Sequence, residues 1–402
     1  MLMFLLWPIL TIGGLLALAF SLVAIGLDFQ YRRRLGNALE VTDGKWDITP
    51  VSPTHCQIVG KIEFINPTKR LDVMIPELWT EVKLLSKAST EGITKRSQII
   101  NQFDYFDGRE DDYWESDIVD FGKRETIEIR IDLEGDKVDA LQVAWVQVNY
   151  VTYGPEGKVP CTKHVIVPLR FPSIEDSKRW RPAENSDILP IKTHLLTNLD
   201  DPVEVVKQYV LPHAQKGDIV TIGESPLAII QGRFRHFRDI HPGWLAKRLC
   251  YMFKSTSSLA TAGGLQTLID IVGAPRVFLS FVGSIPFKLL PHSMARKLNV
   301  DGMFYRLAGQ QANLVDDVTG TIPPYDQFVV LGPLNPQAVC DRIKKETGLE
   351  AAIVDVNDLR RVKILAATAA IPVDFLEKAL ITNPAGNANE QTPVVLIRPS
   401  VS

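Results

Sequence analysis

Cysteine is scarce in this chain: there are four among 402 residues (Cys56, Cys161, Cys250 and Cys340), and none sits in a C-x-x-C pair. That excludes a disulfide scaffold and a zinc finger and agrees with a reducing compartment. An excess of one charge is also missing, since 44 Lys and Arg stand against 47 Asp and Glu. A general nucleic-acid binder needs a basic surplus for its phosphate contacts, so that class is set aside. The combination that marks disorder, few aliphatic residues with a high net charge, is absent too. So are the familiar catalytic signatures: G-x-G-x-x-G, a Walker loop, a G-x-S-x-G elbow and H-E-x-x-H do not occur, and the seven histidines are scattered. Length points to two domains or three, because single cores stop growing near about 250–300 residues.

Charge is wholly absent from Met1 to Leu27, and the first charged residue is Asp28. At about 1.5 Å per residue this run crosses a hydrocarbon core of about 30 Å. A cleaved signal peptide competes with that reading, but it wants a basic start and a shorter apolar core. Residues 1–27 are therefore read as a transmembrane anchor. Residues 28–45 are read as a basic juxtamembrane segment carrying Arg32, Arg33, Arg34 and Lys45. By the positive-inside rule the large C-terminal body lies on the cytoplasmic side of a single-pass membrane protein.

Residues 46–172 alternate with a period of two. His55–Phe64, Leu71–Ile75, Trp79–Leu85, Thr126–Ile131, Ala144–Tyr153 and His164–Phe171 read as short strands, with Asn66-Pro67-Thr68 as a turn. The expected architecture is an antiparallel β-sandwich. The segment I-x-F-x-N-P-T-x-x-L-x-V-x-I resembles immunoglobulin-like domains of the late-embryogenesis-abundant type, a likeness of fold alone. Asp104–Asp117, with Arg109 and Tyr113-Trp114, reads as a long loop, either a solvated connection or a partner-binding surface.

A polar, Pro-punctuated linker at 173–190 leads into residues 191–399, where helical and strand periods alternate as in an α/β or α+β domain. Val203–Val210 reads as a helix with Asp200-Asp201 as caps, Ile219–Ile222 as a buried strand, and Gly223–Gly232 as a turn followed by an apolar segment. Gln327–Leu331, Ala351–Val356 and Pro393–Arg398 read as strands, Asn335–Thr347 and Pro372–Ala379 as helices. RFRHFRDIH, containing His236 and His241, is either a half-exposed edge strand or a phosphate-binding segment through Arg233, Arg235 and Arg238. Leu259–Pro291 is read as buried core or as a surface resting on the membrane. Asp270 and Arg276 would be costly inside a bilayer, and Pro275 and Pro286 interrupt the run, which disfavours a second span. The fold class is thus a multidomain α+β / α/β chain with an N-terminal transmembrane helix, an Ig-like β-sandwich and a mixed C-terminal domain.

Four stretches occur in the order found in the coenzyme F420-0:γ-glutamyl ligase family: KGDIVTIGESPLAIIQGR, YRLAGQQANLVDD, LGPLNPQAVCDRIKKETGLEAAIVDVNDLRRVKI and NPAGNANEQTPVVLIRP. Through them the C-terminal half, Ile191 to Pro399, resembles that family, with the anchor and the β domain outside the likeness. The resemblance implies GTP- or ATP-dependent amide bond formation between glutamate and a carboxylate acceptor, a divalent Mg or Mn ion, and a homodimer. It implies metal ligands at Asp355 and Asp358, with Asp316 as a substitute ligand, and nucleotide contacts at Gly232, Arg233, Gly309 and Asn313. A hard cation between phosphate oxygens calls for several carboxylates. The plainer reading of Asp355 is a turn or cap residue.

The sequence also departs from the family. Gln310-Gln311 stand where its A-G-V-D-x-S-N loop has aspartate, and of its K-I-V-S-K-x-E-G-R segment only Gly232-Arg233 remains. Losing phosphate-neutralising lysines weakens nucleotide chemistry. Two functions stay open: a membrane-anchored γ-glutamyl ligase-like enzyme with no catalytic residue assigned, or a degenerate ligase fold serving as a binding or assembly factor for a membrane protein complex.

Overall fold

A computed structural model describes residues 2–32, 36–86, 89–101, 114, 116–177, 179–254, 257–288, 303–309, 315–317, 322–358, 360–386 and 390–400. The chain separates into two compact units. One comprises Met1–Val82, Thr94–Leu133 and Val146–His164; the other comprises Lys83–Ile93, Glu134–Trp145 and Val165–Ser402.

The first unit begins with α1 (Leu2–Arg32), a 31-residue helix. Its Gly13–Gln30 stretch, with a mean hydropathy of 1.6, is unburied among the described residues and is long and apolar enough to cross a membrane. Arg33 and Arg34, which set the expected orientation, lie outside the described residues.

Nine strands follow: β1 (Glu40–Val41), β2 (Lys45–Ser52), β3 (His55–Ile65), β4 (Val73–Ser86), β5 (Thr94–Asn101), β6 (Asp117–Val119), β7 (Arg124–Glu134), β8 (Leu141–Gly154) and β9 (Gly157–Pro168). They form two sheets, β1-β3-β7-β5 with β2 on β3, and β6-β4-β8-β9. The period of two is what builds them. Ile127, Ile129, Ile131 and Leu133 of β7 are buried in alternation with partly exposed neighbours, as are Ile58, Ile62 and Phe64 of β3. Phe64 meets the Tyr150 ring edge-on at 5.1 Å. Each such side chain contributes about 1.5–3 kcal/mol by leaving water.

The predicted turn at Asn66 forms, because its buried amide donates to the Leu71 and Val119 carbonyls and accepts from Thr68 N–H. Two expected strands merge into β4. Its partner β6 pairs only with Val73–Ile75 and stops before Pro76, the residue that could not donate to the ladder. Of the expected acidic loop, residues 104–113 and 115 lie outside the described residues, and its last residue, Asp117, already belongs to β6.

In the second unit the main sheet has six strands in the order β10 (Arg181–Ala183), β11 (Ser186–Ile191), β18 (Val394–Pro399), β12 (Ile219–Gly223), β16 (Glu350–Asn357) and β17 (Arg361–Ala367). Both faces are covered over its inner strands, so β18, β12 and β16 carry unbroken apolar runs rather than alternating ones. Val220, Ile222, Ala351, Ile353, Val394 and Leu396 pack on one side with Val203, Val206, Cys340 and Ile343. Ile219, Ala352, Val354, Val395 and Ile397 pack on the other with Leu376, Ala379 and Leu380.

One covering helix starts where its predicted cap stands. Asp201 accepts from the N–H groups of Val203 and Glu204 to start α2 (Pro202–Val205), which continues as a π turn over Val206–Val210. After α3 (Glu224–Ile230) come α4 (Trp244–Leu249), α5 (Ala262–Val272), α6 (Ala274–Lys288) and α7 (Met303–Ala308). These four surround a separate core containing Leu265, Leu268, Val277 and Phe304. A small sheet β13-β15-β14 (Phe234–His236, Phe328–Leu331, Val315–Asp317) adjoins that core. Helices α8 (Pro336–Thr347) and α9 (Val373–Leu380) complete the unit.

RFRHFRDIH makes only the short strand β13 before turning into a 3₁₀ segment at Phe237–Asp239. The apolar run at 259–291 resolves, within its described part, into α5 and α6, bent by 113°. Leu265, Thr267 and Leu268 of α5 are fully buried, so that half is core.

Candidate functional site

Four of the five strand pairs in this sheet are antiparallel; the exception is β12–β16, which is parallel. The carboxyl ends of a parallel pair are where loops diverge and leave a crevice. Here Gly223 and Asp355–Asp358 open into a cleft of about 560 Å³.

Glu224, the first residue of α3, faces this cleft and is only 5% exposed. Burying a carboxylate is costly unless a cation or donors compensate it. The ammonium of Lys363 lies 3.4 Å from its Oε2. Lys363 stands opposite Asp355 in the β16–β17 register, so the strand pairing itself delivers the cation. Beyond the strand, Asp358 Oδ1 accepts from Asn383 Nδ2 at 2.8 Å. Asn383 is held at φ 49°, a left-handed conformation that asparagine tolerates better than most residues. Asn357 turns the chain, its Oδ1 accepting from Arg361 N–H at 3.2 Å.

The opposite wall is Thr193–Leu196 with Tyr325. His194 is buried between two partners, with Nδ1 2.7 Å from the Tyr209 hydroxyl and Nε2 2.9 Å from Asp200 Oδ1. A carboxylate only accepts, so in the neutral ring Nε2 carries the proton and Nδ1 accepts from the phenol. Burial pushes the Tyr209 phenol up to about 12, which keeps that donor in place. Tyr209 belongs to the π turn after α2. Tyr325, fully buried and pushed well above the usual phenol range by that burial, donates to the Leu196 carbonyl at 3.0 Å.

A second cavity of about 220 Å³ shares Thr193, His194, Leu195 and Gln391 with the cleft and adds Gln142, Arg170 and Lys192. Charge is therefore segregated. Glu224, Asp355 and Asp358 line the larger cavity, where no Lys or Arg takes part among the described residues, and two cations line the smaller. Oxygen-only donors of this kind fit a hard divalent cation such as Mg²⁺ or Mn²⁺. Among the described residues, no three carboxylate, imidazole or thiol ligand atoms in the cleft come within 4.8 Å of one another.

Of the residues singled out from sequence, Asp355 and Asp358 come together on the cleft. Gly232 and Arg233 do not line it. Gly232, at φ 67°, closes the end of α3, and Arg233 Nε donates to the Gly332 carbonyl at 2.6 Å. Burial lowers the Arg233 pKa. Gly309, at φ 96°, lies against the Arg276 guanidinium and outside the cleft lining. Asp316 lies in β14, which pairs with β15, and Asn313 and Gln310-Gln311 lie outside the described residues. Sequence reasoning missed Glu224, His194, Arg170 and Lys192. Glu224 had a local signal, a Gly-Glu step directly after an apolar strand; the others had none.

Comparison with known proteins places the likeness elsewhere than the C-terminal stretches suggest. The family described as F420-0:gamma-glutamyl ligase, N-terminal Ig-like domain, matches residues 40–171, the β domain. The expectation that this domain lies outside the ligase likeness is thereby corrected. No curated protein matches significantly.

Among solved structures, the yeast GGA1 GAE domain is 16% identical, covering 34% of this chain and 96% of its own, at a TM-score of 0.21. The GAE domain of GGA2p from Saccharomyces cerevisiae is 12% identical, covering 33% and 98%, also at 0.21. The E. coli chaperone DraB is 13% identical, covering 39% and 71%, at 0.20. At such scores none of these bears on function. What the comparisons carry is that residues 40–171 are similar to the amino-terminal Ig-like domain of a γ-glutamyl ligase, which relates the chain to that ligase through its β domain.

Proposed function

We propose that the C-terminal unit is a γ-glutamyl ligase-like module on a membrane-anchored chain, joining glutamate to a carboxylate acceptor at the expense of GTP or ATP. One observation carries the reading. Three carboxylates gather at the carboxyl ends of a parallel strand pair, beside a smaller cavity lined by Arg170 and Lys192. The similarity of residues 40–171 to a γ-glutamyl ligase domain supports it.

In this reading the acceptor carboxylate takes the terminal phosphoryl group of the nucleotide. The amine of glutamate then displaces phosphate from that acyl phosphate to form the amide. One or two of Glu224, Asp355 and Asp358 would hold Mg²⁺ or Mn²⁺, which when bound neutralises phosphate charge. Arg170 and Lys192 take the anionic end of a substrate, with Arg suited to planar carboxylate or phosphate geometry. His194, fixed by Tyr209 and Asp200, sets the wall common to both cavities. α1 tethers the module with its body on the cytoplasmic side.

Calorimetry on the full chain in detergent, with GTP and ATP and with or without Mg²⁺ or Mn²⁺, tests this. Metal-dependent binding is expected, and Glu224→Gln or Asp355→Ala should abolish it. Unchanged binding in both variants would sink the assignment.

One observation favours a second reading. With no Lys or Arg on the larger cleft among the described residues, the fold could serve as a binding or assembly factor for a membrane complex. That reading expects no nucleotide binding, and co-purification with membrane proteins that survives Asp355→Ala.

A further inference from the structure

Helix α6 is built inside out. A surface helix of a water-soluble unit ordinarily turns its apolar stripe inward and its polar residues outward. In α6 the inward side carries Ser280, 4% exposed, and Ser284, 2% exposed, beside Val277. Both serine hydroxyls donate to carbonyls of their own helix, Arg276 and Phe281, so they need nothing from the core. The outward side carries Phe278, Leu279, Val282 and Ile285, at 48%, 67%, 45% and 41% exposure.

At about 100° per residue, Ala274, Pro275, Phe278, Leu279, Val282, Gly283, Ile285 and Pro286 fill one continuous half of the helix. That half contains no charge and no hydrogen-bonding side chain. Gly283 lets Leu307 of α7 approach to 3.1 Å of where a Cβ would stand, and Leu307 is itself exposed.

Length and neighbours decide how such a face can be used. Fifteen residues rise about 22 Å, short of the roughly 30 Å of a hydrocarbon core. Its bent partner α5 is locked into the core through Leu265 and Leu268 and cannot supply the rest of a span. A helix that cannot cross, with a charge-free outer half, fits the boundary between headgroups and acyl chains, where it lies in the plane. A protein partner would ordinarily find some polar rim on such a patch, whereas lipid asks for none.

We infer that the outward face of α6, led by Leu279 and Val282, is a lipid-contacting surface that rests the C-terminal unit on the bilayer into which α1 is anchored. The inference builds on the anchoring proposed above. The tether makes it economical, because a chain already held at the membrane meets it at high effective concentration.

The experiment uses the full chain in vesicles of phosphatidylcholine and phosphatidylglycerol (about three to one). Cys56 and Cys161 are replaced by serine and the buried Cys250 and Cys340 are kept. Nitroxide labels are placed singly at Leu279→Cys, Val282→Cys, Phe20→Cys on α1 and Glu377→Cys on α9. Collisions with oxygen, which concentrates in lipid, are compared with collisions with a water-soluble nickel chelate. Labels at 279 and 282 are expected to favour oxygen several-fold over the label at 377.

A label at 279 that meets nickel as freely as the one at 377 would overturn the inference. So would one shielded from both reagents, which means that protein covers the face. The label at Phe20 separates the two readings. An oxygen-favouring Phe20 with a water-exposed 279 rejects the α6 surface and keeps the anchor. A water-exposed Phe20 rejects the anchor itself.

Discussion

The two units bury their strands in different ways, and the difference determines what each can do. In the β domain strands such as β3 and β7 show one face to the core and one to water, so polar residues recur at every second position. Outward pairs such as Arg124–Glu63 and Lys158–Glu77 are largely exposed ion pairs of small energetic weight. In the six-stranded sheet of the C-terminal unit the inner strands β18, β12 and β16 are covered on both faces and have no polar alternation to spare. Its polar chemistry is pushed to the strand ends, and the parallel pair β12–β16 gathers Glu224 and Asp355 there. Dense alternation makes the first unit recognisable; the second carries the cleft.

The largest effect that would sharpen the contrast is a cavity in the sandwich core. Phe64→Ala should cost about 3–5 kcal/mol in denaturant unfolding. Ligand binding by the still-folded fraction should be unchanged. Loss of both together would break the distinction between a structural and a chemical unit.

Next comes a buried ion pair in the second unit. Arg398 clamps Asp218 through Nε at 3.0 Å and Nη2 at 2.8 Å, and Asp218 is 2% exposed. Arg398→Met leaves that carboxylate buried without its cation, with the Gln215 N–H still donating to it, at a cost of about 3 kcal/mol by thermal melt.

Smaller still is the helix cap. Asp201→Ala should cost about 1 kcal/mol, because two orphan N–H groups of α2 lose their acceptor.

The subtlest test is pH, because the two units carry carboxyl groups shifted in opposite directions. In the β domain, burial raises the Asp117 carboxyl, and Asp120 adds to the rise against the Ile118 N–H. Its Oδ2 has no donor among the described residues. Burial also raises Glu125, reinforced by Asp117 and Asp120. A raised folded pKa means the native state takes up protons first. The β domain should therefore gain stability as pH falls from neutral toward about 4, and Asp117→Asn should remove much of that gain.

In the C-terminal unit burial again opposes ionisation of Asp201. Arg342 and the backbone N–H groups of Val203 and Glu204 outweigh it and hold the carboxyl below its ordinary range. Glu350 is likewise held down, by Lys344 and Thr368 against burial. Their contribution is present above about pH 4 and is lost as pH falls through the lowered folded values. Two unfolding transitions that move apart between pH 7 and 4 would bear this out; parallel movement would refute it.

Much of this fold is legible in the sequence. The runs IVTI, AAIV and VVLIR announce β12, β16 and β18, and Asp201-Pro202 announces α2, because short apolar runs and caps are local properties. The cleft is not local. Residues 193, 224, 355, 383 and 391 meet only because the sheet order runs β11-β18-β12-β16, which no spacing rule encodes. Asp355 is readable because it breaks an apolar run near the end of a strand. Glu224 is obscured by comparison with a lysine-rich pattern laid on the residues directly after it, Ser225–Arg233. Gly232-Arg233 survive from that pattern, yet here they serve the close of α3 and the link to β15 rather than the cleft.

The π turn at Val206–Val210 has a consequence for how this chain tolerates changes of length. A π turn holds one residue more than an α turn needs, so it is an insertion absorbed within a helix. Deleting Lys207, the partly exposed second residue of the turn, would let ordinary helix form and cost little locally. It would also rotate Tyr209 by about 100° around the axis and take its hydroxyl away from His194. The imidazole on the wall common to both cavities therefore depends on the count of residues in a neighbouring helix. A single-codon deletion there would disturb the site without changing any residue that lines it.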